Sequence, residues 1–229
     1  MRFTTFSNSS LGKKIYMGVL GLFWSMFLLI HLLGNLTLLS PDKDPFNKYA
    51  HFLTHGLGNL IYVMELVMGV TFLVHLIYGI IVQWNNWRAR PISYKKVTNA
   101  KGASRKTIAS STMIYTGIII VAFLVVHLRD LKFGEVIMYT TASGAEIRDL
   151  YTITIQFFTN LWNVLLYIAV MVLIGLHLSH GVWSAFQSLG ANGPRFIRCM
   201  QILGYLYAVV IAGGFILIPA VIYLTGGAQ

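Results

Sequence analysis

The stretch LWNVLLYIAVMVLIGLHLSHGVWS, residues 161–184, decides the fold. It lies in an apolar run with no Asp, Glu, Lys or Arg, and it is long enough to cross the hydrocarbon core of a bilayer, which takes about 20 residues of helix. Two histidines, His177 and His180, interrupt it at a depth where a polar imidazole needs a partner. Working outward, four more runs have the same character. Spanning helices are expected at about 12–37, 59–84, 110–129, 157–184 and 199–224. The expected architecture is therefore an all-α membrane protein, one transmembrane domain over residues 1–229 with five helices in a bundle. The first run follows Lys13 and Lys14 as a signal peptide would. It is too long for a signal's apolar region and has no small-x-small cleavage site.

Composition agrees. Of 229 residues, 56% are hydrophobic and 10% charged, against about a quarter charged in soluble domains, and the mean hydropathy is +0.70. The single cysteine, Cys199, excludes an internal disulfide framework and an iron–sulfur cluster held by this chain alone. The net charge of +10 does not point to nucleic acid, because its placement follows membrane topology. Arg2, Lys13, Lys14, the cluster Arg88, Arg90, Lys95, Lys96, Lys101, Arg105 and Lys106, and then Arg195 and Arg198 fall on one side with no acidic residue. The loops near 38–58 and 130–156 mix both signs. The positive-inside rule places the N-terminus in the cytoplasm. Trp84, Trp87, Trp162 and Trp183 stand near helix ends as interfacial anchors do, and Pro219 is expected to kink the last helix.

Four histidines organise the bundle. Counting 1.5 Å per residue from the cytoplasmic ends, His31 lies about 28 Å in and His127 about 26 Å, while His75 lies about 14 Å in and His177 about 10 Å. Two tiers result, each with one histidine from each of two helices, which is the arrangement for six-coordinate haem iron. Gly79 and Gly181 follow His75 and His177 by four, and Gly34 follows His31 by three, so a flat macrocycle is expected to approach the backbone there. A haem with two histidine ligands has no open position and carries electrons. The plainer reading of each histidine alone is a hydrogen bond between helices. His180, on the same face as His177, competes with it; the repeated His-x-x-x-Gly pattern of His75 and His177 favours His177, leaving His180 to bond a propionate or a neighbour.

With these ligands in place, the chain resembles the cytochrome b membrane-anchor subunit of succinate:quinone oxidoreductases and quinol:fumarate reductases, in the single-subunit, five-helix, two-haem form of Bacteroidetes-like type. The matching stretches are SSLGKKIYMGVLGLFWSMFLLIHLLGNL (9–36), HFLTHGLGNLIYVMELVMGVTFLVHLIYG (51–79), NWRARPISY (86–94) and GLHLSHGVWSAFQSLG (175–190). The resemblance covers nearly the whole chain and is weakest between the third and fourth helices. It implies two haems b, the proximal one on His75 and His177 and the distal one on His31 and His127. It also implies a flavoprotein subunit with FAD and an iron–sulfur subunit docked on the cytoplasmic face. A site for menaquinone or another quinone near the distal haem, in the bacterial cytoplasmic membrane, completes what it implies.

Glu65 is the only acidic residue within an expected span. Either it exchanges protons at a quinone site, or it is a protonated carboxyl bonded between helices. His51 and His55, spaced i, i+4, suit a metal if their loop is helical, but no third ligand accompanies them. Arg88 and Arg90 suit bidentate pairing with haem propionates, and the rest of the basic loop suits anionic lipid or the iron–sulfur subunit. The alternative function is the cytochrome b of another quinone-linked dehydrogenase, such as hydrogenase or formate dehydrogenase. A transporter is disfavoured, because internal repeats and paired broken helices are missing from the sequence.

Overall fold

The computed structural model describes residues 9–89, 107–191 and 193–227. Helix α1 spans Ser10–Asn35 and ends in a 3-10 turn, Leu36–Leu39. Then follow α2 (Asp44–His55), α3 (Leu60–Arg88) and α4 (Ile108–His127), the last running into a π-helical turn, Leu128–Lys132. A hairpin of β1 (Met138–Thr140) and β2 (Glu146–Arg148) precedes α5 (Leu150–Phe158), α6 (Leu161–Ser188) and α7 (Pro194–Leu224). Five of these helices are long and apolar enough to cross a membrane, so the chain is built as a multi-pass membrane protein.

Local chemistry sets the boundaries. Ser9 caps α1 by accepting from the Gly12 N–H at 2.9 Å, and Thr107 with Ser110 forms a capping box on α4. The expected fourth helix, 157–184, starts at Leu161 instead, and Phe157 and Phe158 end a separate helix, α5. Asn160 in extended backbone accepts from the Trp162 N–H at 2.9 Å and starts α6, while Asn163 Nδ2 donates back to the Phe157 carbonyl at 2.8 Å. The apolar pattern runs through this break because α5 is buried inside the protein: Tyr151, Ile153, Ile155 and Phe158 are all covered. Pro219 is fully buried within α7, and the helix continues past it to Leu224.

The spanning helices pack as neighbours around a square. α1 meets α3 and α6, α4 meets α6 and, at an edge, α3, and α7 lies outside against α6 and α1. The diagonal partners, α1 with α4 and α3 with α6, are not packed on one another. Small residues bring α6 and α7 together, as is usual between membrane helices: a Cβ on Gly175 would lie 3.0 Å from Ala212 Cβ, and one on Gly204 would lie 3.4 Å from the Trp183 backbone nitrogen. Trp183 is consequently buried at 5% exposure, unlike Trp84, Trp87 and Trp162, which are exposed as anchors should be. α3 is the opposite case: Ile61 is its only buried residue.

One end of the bundle carries a cap made of α2, the hairpin and α5. Loops of mixed charge were expected there, and polar side chains hold them instead. Asn47, wholly buried, donates from Nδ2 to Asp149 Oδ1 at 2.9 Å and accepts from the Tyr151 N–H at 2.8 Å. Lys43 Nζ donates to Asp149 Oδ2 at 2.7 Å, and the Tyr151 hydroxyl donates to the Ser40 carbonyl at 2.8 Å. Burial opposes the charge on Asp149, but the hydrogen bonds from Lys43, Asn47 and Thr152 outweigh it and hold the carboxyl below its ordinary value. The Tyr139 hydroxyl donates to Asp44 at 2.8 Å. Burial, followed by that bond, pushes it up to about 12.

Candidate functional site

One pair of histidines meets across a diagonal. His31 of α1 and His127 of α4, which lie toward the cap, have ring centroids 6.0 Å apart with planes at 90°. His75 of α3 and His177 of α6 lie farther from the cap, the first beside Gly21 of α1 and the second beside Gly117 of α4. A histidine nitrogen sits about 2 Å from a metal it binds, so two imidazoles on opposite sides of one ion have centroids roughly 6 Å apart. The cap-side pair has that spacing. Among the described residues, no three His, Cys, Asp or Glu side chains converge on a point. A metal held here would take at most two ligands from the described His, Cys, Asp and Glu side chains.

Aromatic side chains line the cap-side pair. Phe27 stacks on His31 at 5.3 Å, and Phe215 lies 5.7 Å from the same ring. Phe123 and Tyr167 stand 5.5 and 6.2 Å from His127. Nδ1 of three histidines has a partner. His177 Nδ1 lies 3.0 Å from Thr116 Oγ1, His127 Nδ1 lies 3.2 Å from the Tyr167 hydroxyl, and His31 Nδ1 lies 3.3 Å from Asn35 Nδ2. The His75 Nδ1 is buried with no hydrogen bond. Where Nδ1 donates to a hydroxyl, as it can in His177 and His127, Nε2 is the nitrogen left to bind a metal, whereas His31 Nδ1 accepts from the Asn35 amide nitrogen. His31 with His127, and His75 with His177, are the residues that would hold two haems.

The glycines divide. Gly79 and Gly181 are loosely covered, with the nearest atoms, Met17 Cε and Met113 Cε, 3.9 and 4.0 Å from an added Cβ. Gly34 is not open to a macrocycle: the Tyr49 ring of α2 fills the volume a Cβ would take. Sequence reasoning missed Gly21 and Gly117. A Cβ on Gly21 would lie 3.4 Å from His75 Cε1, and one on Gly117 3.8 Å from His177 Cε1, so each glycine makes room for a ligand ring on a different helix. A signal existed: each stands ten residues before the histidine of its own helix, which is about 15 Å, or one tier.

Other expected residues lie around this frame. His180 is edge-on to Trp183 at 5.0 Å with a buried, unpartnered Nδ1. The Arg88 guanidinium lies 5.3 Å over the Trp84 ring, at the end of the bundle away from the cap; Arg90 lies outside the described residues. Glu65 forms an ion pair with Lys132 at 2.5 Å, both side chains being partly exposed. It is thus a paired carboxylate at the cap end, a partner that sequence spacing did not suggest. His51 and His55 do lie on a helix, α2, with rings stacked 4.9 Å apart and exposed.

No known protein family, curated protein or solved structure matches this chain.

Proposed function

We propose that the chain is a dihaem cytochrome b that anchors a succinate:quinone oxidoreductase or quinol:fumarate reductase in the bacterial cytoplasmic membrane and passes electrons between an iron–sulfur subunit and a quinone. The observation that supports the haem part is the approach of His31 to His127 across a diagonal of the bundle, at a spacing compatible with two ligands of one metal. Two haems would supply reversible one-electron carriers. The chain's own residues hold them: His31 and His127 toward the cap, His75 and His177 away from it. Phe27, Phe123 and Phe215 keep the cap-side site apolar. The assignment to this enzyme class, the flavoprotein and iron–sulfur partners and the menaquinone-like acceptor rest on the sequence resemblance. In this reading Arg88 faces the cytoplasm and the basic side receives the soluble subunits, while Glu65 stands on the opposite side as a proton donor or acceptor for the quinone.

The experiment is a reduced-minus-oxidised spectrum with haem quantitation on the purified chain. Two haems b per chain are expected. His31→Ala or His127→Ala should remove one of them and His75→Ala or His177→Ala the other. A wild-type chain without haem refutes the proposal. Haem loss in His180→Ala but not in His177→Ala would move the α6 ligand to His180. Quinone reduction driven by succinate in the assembled complex separates this reading from a hydrogenase or formate dehydrogenase subunit.

A further inference from the structure

Helices α4 and α6 exchange hydrogen bonds in both directions. Thr116 of α4 reaches His177 of α6 at 3.0 Å. Tyr167 of α6 reaches His127 of α4 at 3.2 Å. Each helix therefore gives a histidine to one tier and a hydroxyl to the histidine of the other. Thr116 stands eleven residues before His127 and Tyr167 ten before His177, so both separations are about 15–16 Å of helix. The antiparallel pair satisfies both contacts at once only if the tiers are that far apart. Neither His31, whose Nδ1 partner Asn35 is on its own helix, nor His75, whose Nδ1 has none, meets a hydroxyl across an interface this way.

Two carbonyls beside Thr116 let its hydroxyl act as the acceptor toward His177. Its hydroxyl has one hydrogen and lies 3.2 Å from the Thr112 carbonyl and 3.0 Å from the Met113 carbonyl. Donating to either leaves an oxygen lone pair facing His177, which accepts from Nδ1–H. Nε2 then carries the free lone pair. Thr116 is 3% exposed and Tyr167 5%, so water does not replace either hydroxyl.

We propose that α4 and α6 form a reciprocal clamp in which Thr116 orients His177 and Tyr167 orients His127, each as an Nε2 ligand, and in which each hydroxyl sets the redox balance of its own tier alone. This rests on the reading of the four histidines as haem ligands. An imidazole whose second nitrogen donates a hydrogen bond is a stronger donor to its metal. Stronger donation favours ferric over ferrous iron, so removing the hydroxyl shifts that site toward the reduced form. Thr116 and Tyr167 are positioning residues; neither ligates.

The test uses the purified, haem-loaded chain with Thr116→Val, Thr116→Ser and Tyr167→Phe, read by spectroscopic redox titration and haem content. Thr116→Val should raise the reduced-to-oxidised ratio of the His75/His177 haem about threefold to tenfold at a fixed potential, tenfold being 59 mV for one electron. The His31/His127 haem should not move, and Thr116→Ser should behave as wild type. Tyr167→Phe should produce the converse pattern. Loss of the His75/His177 haem alone in Thr116→Val, restored in Thr116→Ser, also supports the clamp. Two bound haems with neither potential moved, or with both moved equally by one variant, overturn it and leave the functional reading standing. A wild-type chain that binds no haem overturns both.

Discussion

Replacing Asn47 by alanine tests whether the cap is a folded part of the protein or a pair of loops resting on it. The asparagine is wholly buried and makes two hydrogen bonds between α2 and the start of α5. Without its Oδ1, the Tyr151 N–H, in the first turn of α5 where the helix itself supplies no acceptor, loses its partner. A buried donor left alone costs about 1–3 kcal/mol. Without its Nδ2, the Asp149 carboxylate loses one donor while keeping Lys43 and Thr152. A hydrogen bond to a charged group is worth about 1.5–3 kcal/mol. Together the loss is roughly 3–5 kcal/mol, confined to the cap. Hydrogen–deuterium exchange of the purified protein in detergent reads it directly. Amides of α5 should exchange at least about a hundredfold faster, since each 1.4 kcal/mol is tenfold in a local opening equilibrium. Amides in the middle of α6 should be unaffected. A change of less than about tenfold in α5 would refute the network as the cap's main fastening.

Acid should loosen the same region. Because Asp149 is held below its ordinary value, its contribution is fully present above the unfolded carboxylate value of about 3.9 and is lost as pH falls through the lower folded value; exchange in α5 should rise below about pH 4, and Asp149→Asn should flatten that rise. Glu65→Gln should change thermal stability by less than about 1 kcal/mol, because its ion pair with Lys132 is partly exposed. If Glu65 exchanges protons with a quinone, the variant should lower quinone-linked turnover of the assembled complex while haem content and activity with an artificial acceptor persist; unchanged turnover would return Glu65 to a structural role.

The pairing of His31 with His127 was legible because helix rise is constant, so position along an apolar run converts directly to depth. What sequence spacing could not give was the partner of each ring. Thr116 and Tyr167 are 61 and 40 residues from their histidines, and only packing of α4 on α6 brings them together. The split between α5 and α6 was hidden because burial in protein and burial in lipid select the same apolar residues. Trp183 resembled an anchor by its place near a helix end, but Gly204 gives it a berth inside the bundle. Gly34 resembled an opening for a macrocycle because the sequence says nothing of Tyr49 returning from α2. The cap was read as loop because its stability lies in paired polar groups rather than in an apolar stripe.

The two tiers are not equally anchored, and the difference follows from packing. α6 has α1 and α4 on one side and α7 on the other. It carries more buried residues than α1, α3 or α4, among them Ile174 and Leu178 next to His177. α3, which carries His75, has one buried residue, and the His75 Nδ1 has no partner. The pair farther from the cap thus joins a firmly held histidine to a loosely held one. The His75 ring lies against α1 at Gly21, where an added Cβ would stand 3.4 Å from Cε1. The cap-side pair is different: His31 stacks on Phe27 and His127 packs against the tilted ring of Phe123, each one turn away on its own helix. Disturbance of the helix packing should therefore reach the His75/His177 site before it reaches the site beneath the cap.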